Sequence, residues 1–151
     1  MSTGSAGSAP ARLRGLPSRL LSLAAVRSDR LVSEGLAAMG ARPWHYAVLA
    51  ALQESGPASQ SGLSDRTGIY RSDLVAVINE LAAGGLVERQ PDAADRRRNV
   101  ITVTGAGRRR LRELDERIAV LEDELLAPLA PPERAQLTGL LQRLLDHHSG
   151  A

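Results

Sequence analysis

Two short apolar runs, residues 86–90 and 99–104, flank a turn-rich loop that ends in three consecutive arginines, Arg96, Arg97 and Arg98. Short strands about such a loop form a β-hairpin. A hairpin with guanidinium groups at its tip is long, thin and positive. It can follow a nucleic-acid backbone and set a guanidinium in a narrow minor groove, where the negative potential is strongest. Taken alone, the same run reads equally well as a solvated charged loop, so the residues before it decide.

Ser59 suits the N-cap of a short helix reaching about Thr67, and Gly68 permits a tight turn after it. A second helix begins near Arg71 or Ser72, and its Leu74, Val77, Ile78 and Leu81 recur at the spacing of one buried helical face. Gly84 and Gly85 end it, as glycines beyond a helix C-terminus do. Two short helices about a glycine turn make a helix-turn-helix, and the hairpin that follows makes it winged. The expected fold class is mainly α with a small β-wing.

Asp92, Asp95, Arg96 and Arg97 stand in the order D-x-x-D-R-R, followed by Val100 to Thr104 and then Gly105, Ala106 and Gly107. With G-L-V-E-R at 85–89 and the aromatic and V-L of 43–49, these residues resemble the MarR family of bacterial transcription regulators. The likeness extends over roughly residues 16–146, by motif in 60–107 and by pattern in the flanking helices. It implies a dimeric regulator, acting mainly as a repressor on pseudo-palindromic DNA. It assigns the minor-groove contact to Arg97, a positioning role to Asp95 and phosphate contacts to Arg96 and Arg98. It also implies a small-molecule effector, often an aromatic acid, held between dimerisation helices and reading domain. Where family members often carry Thr and Arg, this chain has Val75 and Ala76, so two polar readers are replaced.

Composition supports a DNA partner. The chain has 151 residues, enough for one domain with a core. All 19 of its basic Lys and Arg positions are Arg, yet the net charge is only +2. Basicity is therefore local, in Arg96–Arg98 and Arg108–Arg110, and a local positive patch suits double-stranded DNA. Absence of Lys and Phe with abundant Ala, Gly and Arg points to a GC-rich bacterial genome. No apolar run approaches the roughly 20 residues that span a bilayer, so a cytoplasmic protein without membrane contact is expected.

Residues 1–15 are expected to be a disordered tail, the first 11 being rich in Ser, Gly, Ala and Pro and lacking signal-peptide features. Residues 16–42 read as an N-terminal dimerisation helix, 43–104 as the reading region and 105–148 as C-terminal dimerisation helices. Leu111, Leu114, Ile118, Leu121 and Leu125 make a heptad-like seam, Pro128, Pro131 and Pro132 break the helix, and Leu137, Leu140, Leu141, Leu144 and Leu145 line the last one. So much leucine is expected to serve a homodimer, which sets two reading heads about one DNA turn apart. An intramolecular three-helix bundle is the alternative.

A recognition helix presents its N-terminal turns to base edges. Here those turns carry Tyr70, Arg71, Ser72, Asp73, Val75, Ala76 and Asn79. Arg71 suits either a guanine edge or a phosphate, and Val75 a thymine methyl. Ser72 suits a helix cap or a phosphate, and Asp73 a cap ahead of a cytosine amine. Asn79 lies two turns in, at the margin of base contact. Arg108–Arg110 are expected to pair with Glu113 and Asp115.

Arg42, Trp44, His45 and Tyr46 gather an aromatic wall and cations suited to an anionic aromatic effector, or equally to stapling two helices together. No cofactor and no enzyme chemistry are expected, since Cys, H-E-x-x-H and a Gly-rich phosphate loop are absent. A metal-responsive regulator would need Glu34, His45, His147 and His148 assembled by folding. A winged helix serving only protein–protein contact is the other alternative, opposed by the arginine-tipped loop.

Overall fold

The computed structural model describes residues 9–150 and is mainly helical, with one two-stranded antiparallel sheet. In chain order the elements are α1 (Ala11–Arg14), α2 (Pro17–Ala37), α3 (Pro43–Ser55), α4 (Gln60–Thr67) and α5 (Arg71–Ala83), then β1 (Val87–Pro91), β2 (Asn99–Val103), α6 (Gly105–Leu125) and α7 (Pro131–Ser149). Proline opens α2, α3 and α7, where a missing N–H costs nothing because the first turn has no acceptor for it. Ser59 Oγ accepts the Gly62 N–H at 3.1 Å and caps α4, as its position predicts. Gly68 ends α4 at φ 72°, in the left-handed region that glycine enters without strain.

The tail expected over 1–15 is corrected at its end, where Ala11–Arg14 form one helical turn. Residues 1–8 lie outside the described residues. The first strand starts one residue later than expected. Leu86 still belongs to the turn that closes α5, its N–H returning to the Leu81 carbonyl at 2.9 Å. Pairing runs from Val87 opposite Val103 to Pro91 opposite Asn99. A further rung joins the hairpin to the helices: Ala58 and Ile101 exchange both backbone hydrogen bonds, at 3.1 and 2.7 Å.

One apolar core unites these parts. Ile101 and Val87 enter it from the wing, Leu63 from α4, and Leu74, Val77, Ile78 and Leu81 from the predicted face of α5. Leu36, Leu49, Leu114 and Leu121 continue it into the long helices. Much of the heptad-like seam of α6 is thus buried within its own chain, with Leu114 and Leu121 at 0% and 1% exposure and Ile118 and Leu125 part-buried. These leucines therefore pack within the chain. A spacing of three and four marks a buried stripe whatever covers it, and here α2 and α3 do. Gly35 allows the close approach, since a Cβ there would overlap Leu121.

Thr104 joins wing to long helix. Its Oγ1 accepts the Gly107 N–H at 3.0 Å, capping α6, and donates to the Gly85 carbonyl at 2.7 Å. A Cβ on Gly107 would collide with the Leu86 carbonyl, whereas one on Gly105 would meet only the ends of flexible arginines. Gly107→Ala should therefore destabilise the fold by about 1–3 kcal/mol, as overpacking does. Gly105→Ala should stay within about 0.5 kcal/mol of the parent. Urea midpoints at unchanged slope measure both.

Candidate nucleic-acid interface

The outer side of α5 is open to solvent. Tyr70, the N-cap residue, is 79% exposed, and Arg71, Ser72, Val75, Ala76 and Asn79 are exposed along the first turns. Neither Ser72 nor Asp73 caps the helix, which corrects the expectation for both. The helix begins at Arg71, so the cap position falls on Tyr70 and the polar side chains stand inside the first turn. Asp73, half-buried there, still favours the positive end of the helix dipole.

Asn79 Oδ1 accepts a hydrogen bond from Arg89 Nη2 at 2.5 Å. Arg89 escaped the sequence reading. Its signal was the strand period of two, which sets it on the same face as Val87, and Val87 is buried against the helices. At the wing tip, Asp95 Oδ1 accepts the Arg97 backbone N–H at 3.0 Å and its Nε–H at 3.4 Å. The Arg97 side chain is otherwise 93% exposed. Asp92 Oδ1 accepts the Ala94 N–H at 3.0 Å, and the Asp92 N–H closes the loop on the Arg98 carbonyl at 2.8 Å. These short carboxylate turns shape the loop and set the direction of Arg97. Arg96 and Arg98 are exposed beside it.

The second arginine cluster turns inward in part. Arg110 donates to the Met39 carbonyl and pairs with Glu113 at 3.2 Å. Arg108 donates to the Val103 carbonyl at 3.3 Å. Asp115, the other expected partner, instead accepts the Tyr46 hydroxyl at 2.6 Å. That bond foremost, then burial, pushes the Tyr46 phenol up to about 12.

The four residues expected to form one effector pocket do not converge. Arg42 Nη2 lies 2.5 Å and His45 Nε2 lies 2.6 Å from the same oxygen of Glu80, on α5. His45 Nδ1 accepts the Arg42 backbone N–H at 3.2 Å, so one ring caps α3 and reaches α5. Arg42 and the half-open Trp44 share a groove of about 540 Å³ with Asp29, Val32, Ser33 and Pro43. His45 lines a separate cavity of about 160 Å³ with Glu80 and Leu114, and Tyr46 lines neither. Neighbouring helical residues diverge by about 100°, so adjacency in sequence separates them in space. Among the described residues no group of three or more His, Cys, Asp or Glu could hold a metal, and Glu34 and His45 are not brought together with the C-terminal histidines. No helix of the described residues is long and apolar enough to cross a membrane.

The helix-turn-helix and the wing as far as its arginines fall within a family model: that of the MarR family matches residues 40–98. The chain belongs to the MarR family. A protein of Thauera aromatica assigned as a transcriptional regulator for the hcr operon is 32% identical over 110 residues, 73% of this chain and 66% of that protein. Among solved structures, BpsR of Bordetella bronchiseptica, whose DNA binding is regulated by 6-hydroxynicotinic acid, superposes with a TM-score of 0.80 at 25% identity, covering 91% of this chain and 99% of that one. The transcriptional repressor CouR bound to a 23-mer DNA duplex superposes with a TM-score of 0.81 at 26% identity, covering 89% and 95%. The MarR-family relatives are regulators of transcription, not enzymes.

The Glu80 carboxyl is held below the usual carboxylate range, first by the His45 hydrogen bond and then by Arg42. A depressed folded value contributes stability that is present above the unfolded value and lost as pH falls through the folded one. Glu80→Gln should therefore be less stable than the parent at neutral pH. The difference should shrink as pH is lowered through the carboxylate range, as paired urea melts across that range will read.

Proposed function

We propose that this MarR-family protein is a sequence-specific DNA-binding regulator, acting as a homodimer on a pseudo-palindromic operator and mainly as a repressor. The observation that carries this reading is the exposed Arg97 guanidinium, aimed by Asp95 from a wing that stands beside the solvent-facing turns of α5. The helix presents Ser72, Asp73, Val75 and Ala76 to the major groove, and the wing sets Arg97 in the adjacent minor groove. Arg96 meets phosphate, which sets affinity and not sequence. The likeness to CouR in its DNA complex supports the reading.

A second copy of the chain covers the apolar faces that its own core leaves open. α7 has no buried residue, and Leu140, Leu144 and Leu145 face solvent. Leu16 at the N-cap of α2 and Leu20, Leu21, Leu23 and Val26 along it do the same. Amphipathic helices of this length form by packing that face against something. Changing Leu140 and Leu144 to Arg together should yield a monomer in sedimentation and abolish tight operator binding. A dimer that survives the change would remove α7 from the interface.

DNA affinity should fall by roughly three to five decades between 50 and 200 mM salt, for about 6–10 phosphate contacts per dimer. Arg97→Ala should cost about 1–3 kcal/mol of binding on every site. Electrophoretic shifts with selected and random duplexes test both. Failure to bind any duplex would return the chain to a protein–protein role.

The effector is an anionic aromatic molecule seated on Trp44, with Arg42 at the rim. BpsR and its aromatic acid support this class. Such a ligand releases DNA only through different affinity for two dimer conformations. With no Cys in the chain, thiol oxidation plays no part. Titration with hydroxylated aromatic carboxylates should quench Trp44 and release DNA over the same concentrations. Quenching without release would mark the groove as adventitious.

A further inference from the structure

A cleft of about 370 Å³ separates the wing from the helix-turn-helix. It gathers Arg71 from the start of α5, Arg89 from β1 and Arg98 from the end of the wing loop, over Ser59 and Ser61 at the start of α4. No carboxylate lines it. Arg42, Arg97, Arg110 and Arg134 each have an acidic partner, but among the described residues none of these three does. Three like charges therefore converge without an internal counter-ion, an arrangement that an anion stabilises.

Arg89 is also aimed. A guanidinium carries five N–H donors in a fixed fork, so its single bond to Asn79 orients the plane and leaves the other donors for a ligand. The floor is firm because the Ala58–Ile101 backbone exchange ties β2 to the approach of α4. Geometry identifies the anion. A helix in the major groove and a wing in the neighbouring minor groove are separated by one sugar–phosphate strand, and the cleft is the surface between them.

We infer that the cleft seats one backbone phosphate of the bound DNA, held by Arg71, Arg89 and Arg98, with Asn79 as the positioning residue for Arg89. The inference rests on α5 and the wing entering adjacent grooves. It settles the two roles open to Arg71 in favour of phosphate, and it takes Asn79 away from the bases. Arg71 and Arg89 then set affinity and salt dependence, and base preference rests on the residues that follow Arg71 on the helix.

The test uses the full chain and a duplex selected from random DNA, with phosphates replaced one at a time by neutral methylphosphonate. One position per half-site should weaken the parent about tenfold yet weaken Arg89→Ala distinctly less, the non-additivity of groups in contact. Arg71→Ala and Arg89→Ala should each weaken all single-base variants of the duplex alike, by about tenfold, and lower the salt slope by about one per site. Asn79→Ala should give a smaller uniform loss, with thermal midpoints of all three variants near the parent value. Changed base preference in Arg71→Ala, or additive effects at every phosphate, would overturn the cleft assignment alone. A parent that binds no duplex would overturn the DNA-binding reading with it.

Discussion

The reading head depends on one reciprocal pair of backbone hydrogen bonds, Ala58 with Ile101. A two-stranded hairpin alone is marginal in water. Here its second strand gains a rung from the segment preceding α4, while Ile101 sends its side chain into the shared core at 1% exposure. Wing and helix-turn-helix are therefore one body. The arginines of the loop stand at a constant distance from the first turns of α5, a precondition for touching two grooves at once.

Local features were legible in the sequence because short spacing encodes them. The Ser59 cap, the Gly68 turn, the apolar face of α5 and the Asp95–Arg97 contact each lie within a few residues and appear as expected. The expectations that failed needed information from further away or a closer placement of a helix end. Ser72 and Asp73 lost their capping role because the N-cap falls on Tyr70, two and three positions earlier. The α6 seam announced burial but not its covering. Arg42, His45 and Glu80 meet across more than thirty positions of chain, and no local pattern ties a basic N-cap to one glutamate on a later helix.

That triad gives the proposed effector groove a physical link to the DNA-facing helix. Arg42 borders the groove with Trp44 and at the same time holds Glu80 of α5. His45 adds a second hold on the same oxygen and caps the helix that carries Trp44. On the proposed effector reading, a ligand carboxylate near Arg42 would compete with Glu80 for that guanidinium. The exposed pair is worth little for stability. Its importance lies in joining α3 to α5 at the surface, beside the core that both helices share.

Thr104 has a mechanical consequence. It bonds the turn after α5 through Gly85 and the start of α6 through Gly107, so any rotation of one against the other is centred near it. α6 has 21 residues and, at about 1.5 Å per residue, is a lever roughly 30 Å long. Each wing strand has five residues and, at about 3.4 Å per residue, forms a shorter arm of roughly 17 Å. If the two arms turn together, a shift of about 3 Å at the Leu125 end of α6 moves the wing tip by somewhat over half as much. That is enough to break a hydrogen bond, so on the proposed DNA-binding reading a displacement at the far end of α6 would cost the wing its register.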